Sequence, residues 1–202
     1  NTLTITRGIT GSGNVSLKGH VISGSGGIQA KSLTLDQAVV NANGSSMTAS
    51  DTISIANSTV QNSSLFGYAD SVAGEKTISL NNVTLNNVIA FGVSSTGNAV
   101  VSYDASGITS NANSILYQDY SLTYSYNEST LSASELGSEY ANSYRVKTEG
   151  TANSIVGYHK ADGNYTEDTS ITLPTYTVAG YDYRGWYVDG ADTSSTELSD
   201  GT

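Results

Sequence analysis

The chain has 202 residues, room for one large domain or two small ones, with a net charge of −10 and only 13% charged residues. That acidity excludes a nucleic-acid surface, which rests on Lys and Arg neutralising phosphates, and the absence of cysteine excludes disulfides and zinc–thiolate sites. No run of 18 apolar residues is present to cross a membrane as a helix.

Hydrophobic residues make up 37% of the chain, below the roughly 45–50% of globular proteins, and Ser, Thr, Asn and Gly fill the difference. Ile, Val, Thr and Tyr nonetheless recur in phase, which argues for a folded β protein over disorder. Taken from the N-terminus, Leu3-Thr4-Ile5 starts only 12 residues before Val15 and reads as an incomplete terminal coil. One frame then repeats: Val15-Ser16-Leu17 with Ile22, Leu33-Thr34-Leu35 with Val40, Ile53-Ser54-Ile55 with Val60, Ile78-Ser79-Leu80 with Leu85, and Val101-Ser102-Tyr103 with Ile108. Its starts at 15, 33, 53, 78 and 101 are 18, 20, 25 and 23 residues apart. Each unit is apolar, hydroxyl, apolar, so successive side chains point to opposite faces of a strand.

A period near 20 built of short strands is what a parallel β-solenoid requires, because each coil must cover the one before it. Leu35, Ile55 and Leu80 are expected to stack in one interior column, and Val40, Val60 and Leu85 in a second. A third apolar cluster per coil (Ile28, Met47, Leu65 with Phe66, Ile89 with Phe91, Ile115) fits a three-sided coil with Gly, Asn and Ser at its corners. Residues 70–76 and 94–98 lengthen two corners on one edge, as loop drift or as a binding edge. A sandwich of short strands explains the strand lengths but not the single recurring frame.

Tyrosine marks a change of character. Twelve of the fourteen Tyr and the single Trp lie from Tyr117 onward, where thirteen acids and four bases give −9. A boundary is expected within residues 112–120, dividing the chain into a solenoid over 1–115 and a second domain over 116–202. In the second, residues 120–126 alternate as one half-buried strand, and strands are expected at 144–147 and 155–158. Ser132 or Ser134 caps a short helix before Glu135. Pro174 ends a strand formed by Ile171-Thr172-Leu173, or lies at a sheet edge, because it has no N–H to donate. Trp186 reads as a buried core anchor rather than a sugar platform, with Gly185 where backbone must approach closely.

The first segment resembles the parallel β-helix repeats of bacterial surface proteins, on the stretches Leu3 to Gly13, Gly27 to Leu35 and Asp51 to Ile55. In the second, Tyr120 to Tyr126, then Tyr165-Thr166-Glu167-Asp168, Ile171-Thr172-Leu173-Pro174 and Gly180-Tyr181-Asp182-Tyr183-Arg184-Gly185-Trp186-Tyr187 follow in order. That order resembles the Listeria–Bacteroides repeat, the internalin-type B repeat. Two departures are the replacement of the family's glycine pair by Asn127-Glu128-Ser129 and a longer middle, residues 131–163. The resemblances imply an all-β chain, a right-handed parallel β-helix (solenoid) followed by a small mixed-β, β-grasp-like domain. They also imply a spacer or adhesion module without catalytic residues.

The residues themselves supply little chemistry. Asp36, Asp51, Asp70, Glu75 and Asp104 do not stack in one column of the repeat, and no two pair as a glycosidase would need. His20 and His159 stand alone without metal spacing. Asp162-Gly163-Asn164 and Asp189-Gly190-Ala191-Asp192 read as turns rather than calcium loops. No catalytic, cofactor or metal residue is assigned. The expected function is a non-enzymatic extracellular segment of a bacterial cell-surface protein, an adhesin stalk or spacer trimmed from a longer secreted chain. The alternative is a carbohydrate-binding module whose β-helix face takes a host, dietary or cell-wall polysaccharide. Its ligand contacts would be Tyr68 and Tyr103, with Phe66 and Phe91 the other rings on offer there. A lyase-type enzyme is the third reading.

Overall fold

The computed structural model describes residues 2–91, 97–137, 139–183, 185–187 and 197–198. The protein is all-β with a large sheet: helix among the described residues is confined to one four-residue α-helix and one three-residue 3₁₀ turn. The chain divides into two compact units, Asn1–Asp119 with Val146–Ser154, and Tyr120–Arg145 with Ile155–Thr202.

The first unit carries β1 (Thr2–Ile5), β2 (Ile9–Thr10), β3 (Asn14–Ser23), β4 (Ile28–Asn41), β5 (Ser46–Tyr68), β6 (Gly74–Ala90), β7 (Ala99–Tyr103), β8 (Ile108–Ser110) and β9 (Ile115–Ser121). Their spatial order is β1-β3-β4-β5-β6-β9, with β2 beside β4, and β7 and β8 beside β6. Every one of these pairings is parallel. Leu17 pairs with Leu35, Leu35 with Ile55, and Ile55 with Leu80. Val21, Val40, Val60 and Leu85 form a second such series. One residue before each member of the first series, the hydroxyls Ser16, Thr34, Ser54 and Ser79 stay exposed, as the two-residue pleat demands. Leu35, Val40, Val60 and Leu85 are fully buried and Ile55 nearly so. Each such side chain contributes about 1.5–3 kcal/mol of transfer free energy.

Two details of the repeat differ from the sequence expectation. In the first repeat the inward residue is Val21, while Ile22 is exposed and pairs with Asn41. Four residues separate Leu17 from Val21 where five separate Leu35 from Val40, so the register slips at this corner and the neighbouring side chain turns in. At the other end, Val101 pairs with Lys76 and Tyr103 with Ile78, a shift of two from the expected frame. Ile108 likewise pairs with Val83, and Leu85 meets Ser110. A shift of two preserves the buried face but leaves Leu80 without an apolar successor, and Leu80 is only half buried.

The corners explain the residues that punctuate the frame. The position two after each of Leu17, Leu35, Ile55 and Leu80 has positive φ: Gly19 at 77°, Gln37 at 50°, Asn57 at 48° and Asn82 at 54°. Glycine occupies this left-handed conformation freely, and Asn tolerates it better than most residues. Asn62 and Asn87 repeat the device at the next corner, at 53° and 58°. Their amides stack. Asn82 Nδ2 donates to Asn57 Oδ1 at 3.1 Å, Asn87 Nδ2 to Asn62 Oδ1 at 3.0 Å, and Asn62 Nδ2 to Asn41 Oδ1 at 3.2 Å.

The second unit is aromatic. β10 (Ser125–Tyr126) and β11 (Ser129–Thr130) form an antiparallel hairpin. Asn127 and Glu128 turn it at φ 48° and 63°, supplying the two left-handed residues for which such turns favour glycine. α1 (Ala133–Leu136) follows Ser132, whose backbone N–H donates to the Glu135 carboxylate at 2.7 Å in a capping box. Next in the chain come β12 (Ala141–Glu149) and β13 (Ala152–Lys160), of which Ala141–Arg145 and Ile155–Lys160 belong to this unit, and β14 (Tyr165–Thr166), antiparallel to β13. β15 (Trp186–Tyr187) pairs antiparallel with β16 (Glu197–Leu198).

Two strand expectations fail here. Residues 122–124 leave the strand expected over 120–126, because Tyr124 turns into the core, where its hydroxyl donates to Ala141 O at 2.7 Å. Ile171-Thr172-Leu173 is irregular, although Thr172 O accepts one backbone bond from Ala141. Ile171 packs with Ala141 and Tyr158, and Leu173 joins Tyr124, Leu131, Leu136 and Tyr140. Burial, rather than a ladder, holds that segment.

Candidate binding groove

The residues expected to meet a ligand on the first unit are core residues. Tyr68 has no exposed surface and Tyr103 keeps 8%, so neither offers a ring face to a sugar. Phe66 and Phe91 are equally buried, their centroids 5.6 Å apart, with Tyr103 4.9 Å from Phe91. Large rings in a hydroxyl-rich repeat fill the interior because nothing else there has their volume. Burial raises the Tyr68 hydroxyl above its ordinary pKa of 10.0.

Exposed rings gather instead in the second unit. A groove of about 400 Å³ is lined by Tyr126, Tyr176, Tyr181, Tyr183, Trp186 and Tyr187, with Ser125 and Asp182 as polar members. Tyr181 is 74% exposed, and Tyr126, Tyr183 and Tyr187 are exposed too. The wall is built from the core outward. Trp186 is half buried, not fully as expected, and its ring meets Tyr124 edge-on at 5.0 Å. Tyr124 in turn meets Tyr140 at 5.2 Å. The Trp186 indole N–H donates to Pro174 O at 2.7 Å, and the Tyr183 hydroxyl donates to the same oxygen at 3.3 Å. Pro174, expected to stop a strand, anchors two rings through its carbonyl.

Gly185 has φ 112°, a conformation that a Cβ disfavours, and it places Trp186 and Tyr187 at the start of β15. Desolvation, with smaller contributions from Tyr140 and Tyr183, raises the Tyr124 hydroxyl far above the ordinary tyrosine value. The groove therefore has a ring-lined wall backed by Tyr124, with exposed ring surface above it.

Polar chemistry elsewhere is structural. Asp162 accepts from the Asn164 backbone N–H at 2.9 Å and its side-chain N–H at 2.7 Å, which closes a turn and lowers the Asp162 pKa. Asp189 to Asp192 lies outside the described residues. Among the described residues, no three His, Asp or Glu side chains converge as metal ligands would. Arg145 and His159 are both buried, with Nη2 and Nε2 3.3 Å apart and the guanidinium 4.5 Å from the Tyr165 ring centroid. No local pattern in the sequence marks that pair, since the two lie fourteen residues apart on different strands.

No protein-family model, curated protein or solved structure matches the chain.

Proposed function

We propose that the chain is a non-enzymatic extracellular segment of a bacterial cell-surface protein, acting as a stalk or spacer. In this reading β1–β9 wind as a right-handed parallel β-solenoid, and the segment from about residue 116 is a β-grasp-like module of the Listeria–Bacteroides type. The observation that carries the reading is the register of the first unit: successive repeats superpose Leu17, Leu35, Ile55 and Leu80, with a left-handed corner two residues after each. A stack of equivalent repeats sets distance by their number, which is what a spacer needs. The outward positions are hydroxyls and amides rather than clustered carboxylates or histidines.

The test is to lengthen the stack. Three additional copies of residues 33–52 should fold and extend the particle by about 14 Å at constant cross-section, since neighbouring strands lie about 4.8 Å apart. Small-angle scattering measures both quantities. Unchanged length, or loss of the folded state on adding copies, would reject the spacer reading.

A further inference from the structure

We infer that the ring-lined groove of the second unit is a binding site for a neutral polysaccharide. The inference does not depend on the spacer reading, because it rests on a surface that the repeats of the first unit do not form. Four tyrosines lining the groove, Tyr126, Tyr181, Tyr183 and Tyr187, are exposed. An aromatic face carries negative charge density, which attracts the polarised C–H groups on the flat face of a pyranose.

The hydrogen-bonding groups point to the same occupant. A proline-rich peptide, the other ligand suited to an aromatic groove, offers carbonyl acceptors and needs donors from the wall. Here the Trp186 indole N–H and the Tyr183 hydroxyl are both engaged by Pro174 O. The groove also holds the hydroxyls of Ser125, Tyr126, Tyr181 and Tyr187, which both donate and accept, and the exposed Asp182 carboxylate, which only accepts. A proline-rich backbone has no N–H for that carboxylate, whereas a sugar, whose hydroxyls donate and accept, matches the whole set. Anionic polymers are disfavoured by charge, since the chain from Tyr117 onward carries −9. About 400 Å³ suits one or two sugar rings.

The experiment titrates cellohexaose, xylohexaose and mannohexaose into the full chain, following Trp186 fluorescence and tyrosine ring resonances. Polygalacturonate and a basic proline-rich decapeptide serve as the contrasting probes. At least one neutral hexaose should saturate the signal, with Kd near or below about 1 mM. Tyr181→Ala should weaken binding about tenfold or more while circular dichroism stays that of the parent. Asp182→Asn should weaken it less, and polygalacturonate should not bind. The inference is overturned if none of the three hexaoses binds, if affinity is unchanged in Tyr181→Ala, or if the peptide or polygalacturonate binds more tightly than the hexaoses. Tyr181 is so exposed that its removal leaves the fold intact, and a failure here would leave the spacer test above untouched.

Discussion

The two units reach stability from similar building materials by opposite routes. The first unit buries Leu, Ile and Val in register, each repeat placing a small aliphatic side chain over the one before. The second has no such repetition, and its described core sets a chain of rings, Tyr140 against Tyr124 and Tyr124 against Trp186, among Leu131, Leu136 and Leu173. Small side chains in series need many strands to bury enough area, whereas a Tyr or Trp buries about 150–250 Å² at once. A ring also keeps a polar end, so the second core has to satisfy it: Tyr124 reaches Ala141 O, and Trp186 reaches Pro174 O. Periodic packing therefore leaves a uniform surface, while ring packing leaves partly covered rings and a groove.

The contrast can be broken most forcefully in the periodic unit. Ile55→Asp places an unpaired carboxylate between Leu35 and Leu80 and should cost more than about 4 kcal/mol. Several repeats should lose protection together in hydrogen exchange; opening confined to residues 53–57 would show that the repeats do not share one core. Trp186→Ala should cost about 2 kcal/mol, less than the about 3–5 kcal/mol of a wholly buried ring, because part of Trp186 stays in solvent. Thermal unfolding followed by near-ultraviolet circular dichroism of the tyrosines measures it. A loss of the full-burial size would mean that the ring is core and not groove wall.

Asn82 sharpens the account of the corners. Asn82→Ala removes the bond to Asn57 and puts a Cβ without a local hydrogen bond at φ 54°, a loss of about 1–2 kcal/mol. Asn82→Gly should lose less than half of that, since glycine accepts the angle. Equal losses in urea denaturation would assign the whole effect to the amide. The smallest effect concerns alkali. Tyr124 has a raised pKa in the folded state, so its contribution is fully present below pH 10 and is lost as pH rises through the folded value. Stability should fall as pH rises above 10, and tyrosinate absorbance should show the buried phenols of Tyr124 and Tyr68 ionising after the exposed ones. Replacing Tyr124 by Phe should remove one of those late steps and leave the other.

Much of the first unit is written in its sequence because a two-residue pleat and a recurring frame act on the same residues. Ser54 between Ile53 and Ile55 already says which face each occupies. The frame misleads where the corner changes length, as at Ile22, or where the chain advances by two, as at Val101. Tyr68 and Tyr103 are ambiguous in the sequence for another reason: an aromatic residue suits both a sugar platform and a core, and burial decides for the core. In the second unit the Ser132–Glu135 cap is local and readable. The groove is not, because residues 171–183 run largely without regular structure, held by the burial of Ile171 and Leu173, while its two rings Tyr183 and Trp186 are tied to Pro174 O. Trp186 and Gly185 stand out in the sequence, but nothing there says that Trp186 shows one side to solvent.

The amide ladders give the first unit a chemical clock. Each rung uses one Asn as donor and the next as acceptor, so slow hydrolysis of an amide to a carboxylate does not act equally along the series. Conversion of Asn41 leaves an oxygen that still accepts from Asn62, and charge strengthens the rung. Conversion of Asn87 removes its donor and sets a carboxylate against Asn62 Oδ1, so that rung is lost. Once both ends of a rung are converted, two like charges face each other across it. Ageing of the protein would thus proceed directionally, with early damage at one end of a ladder tolerated and the same reaction at the other end loosening the corner it holds.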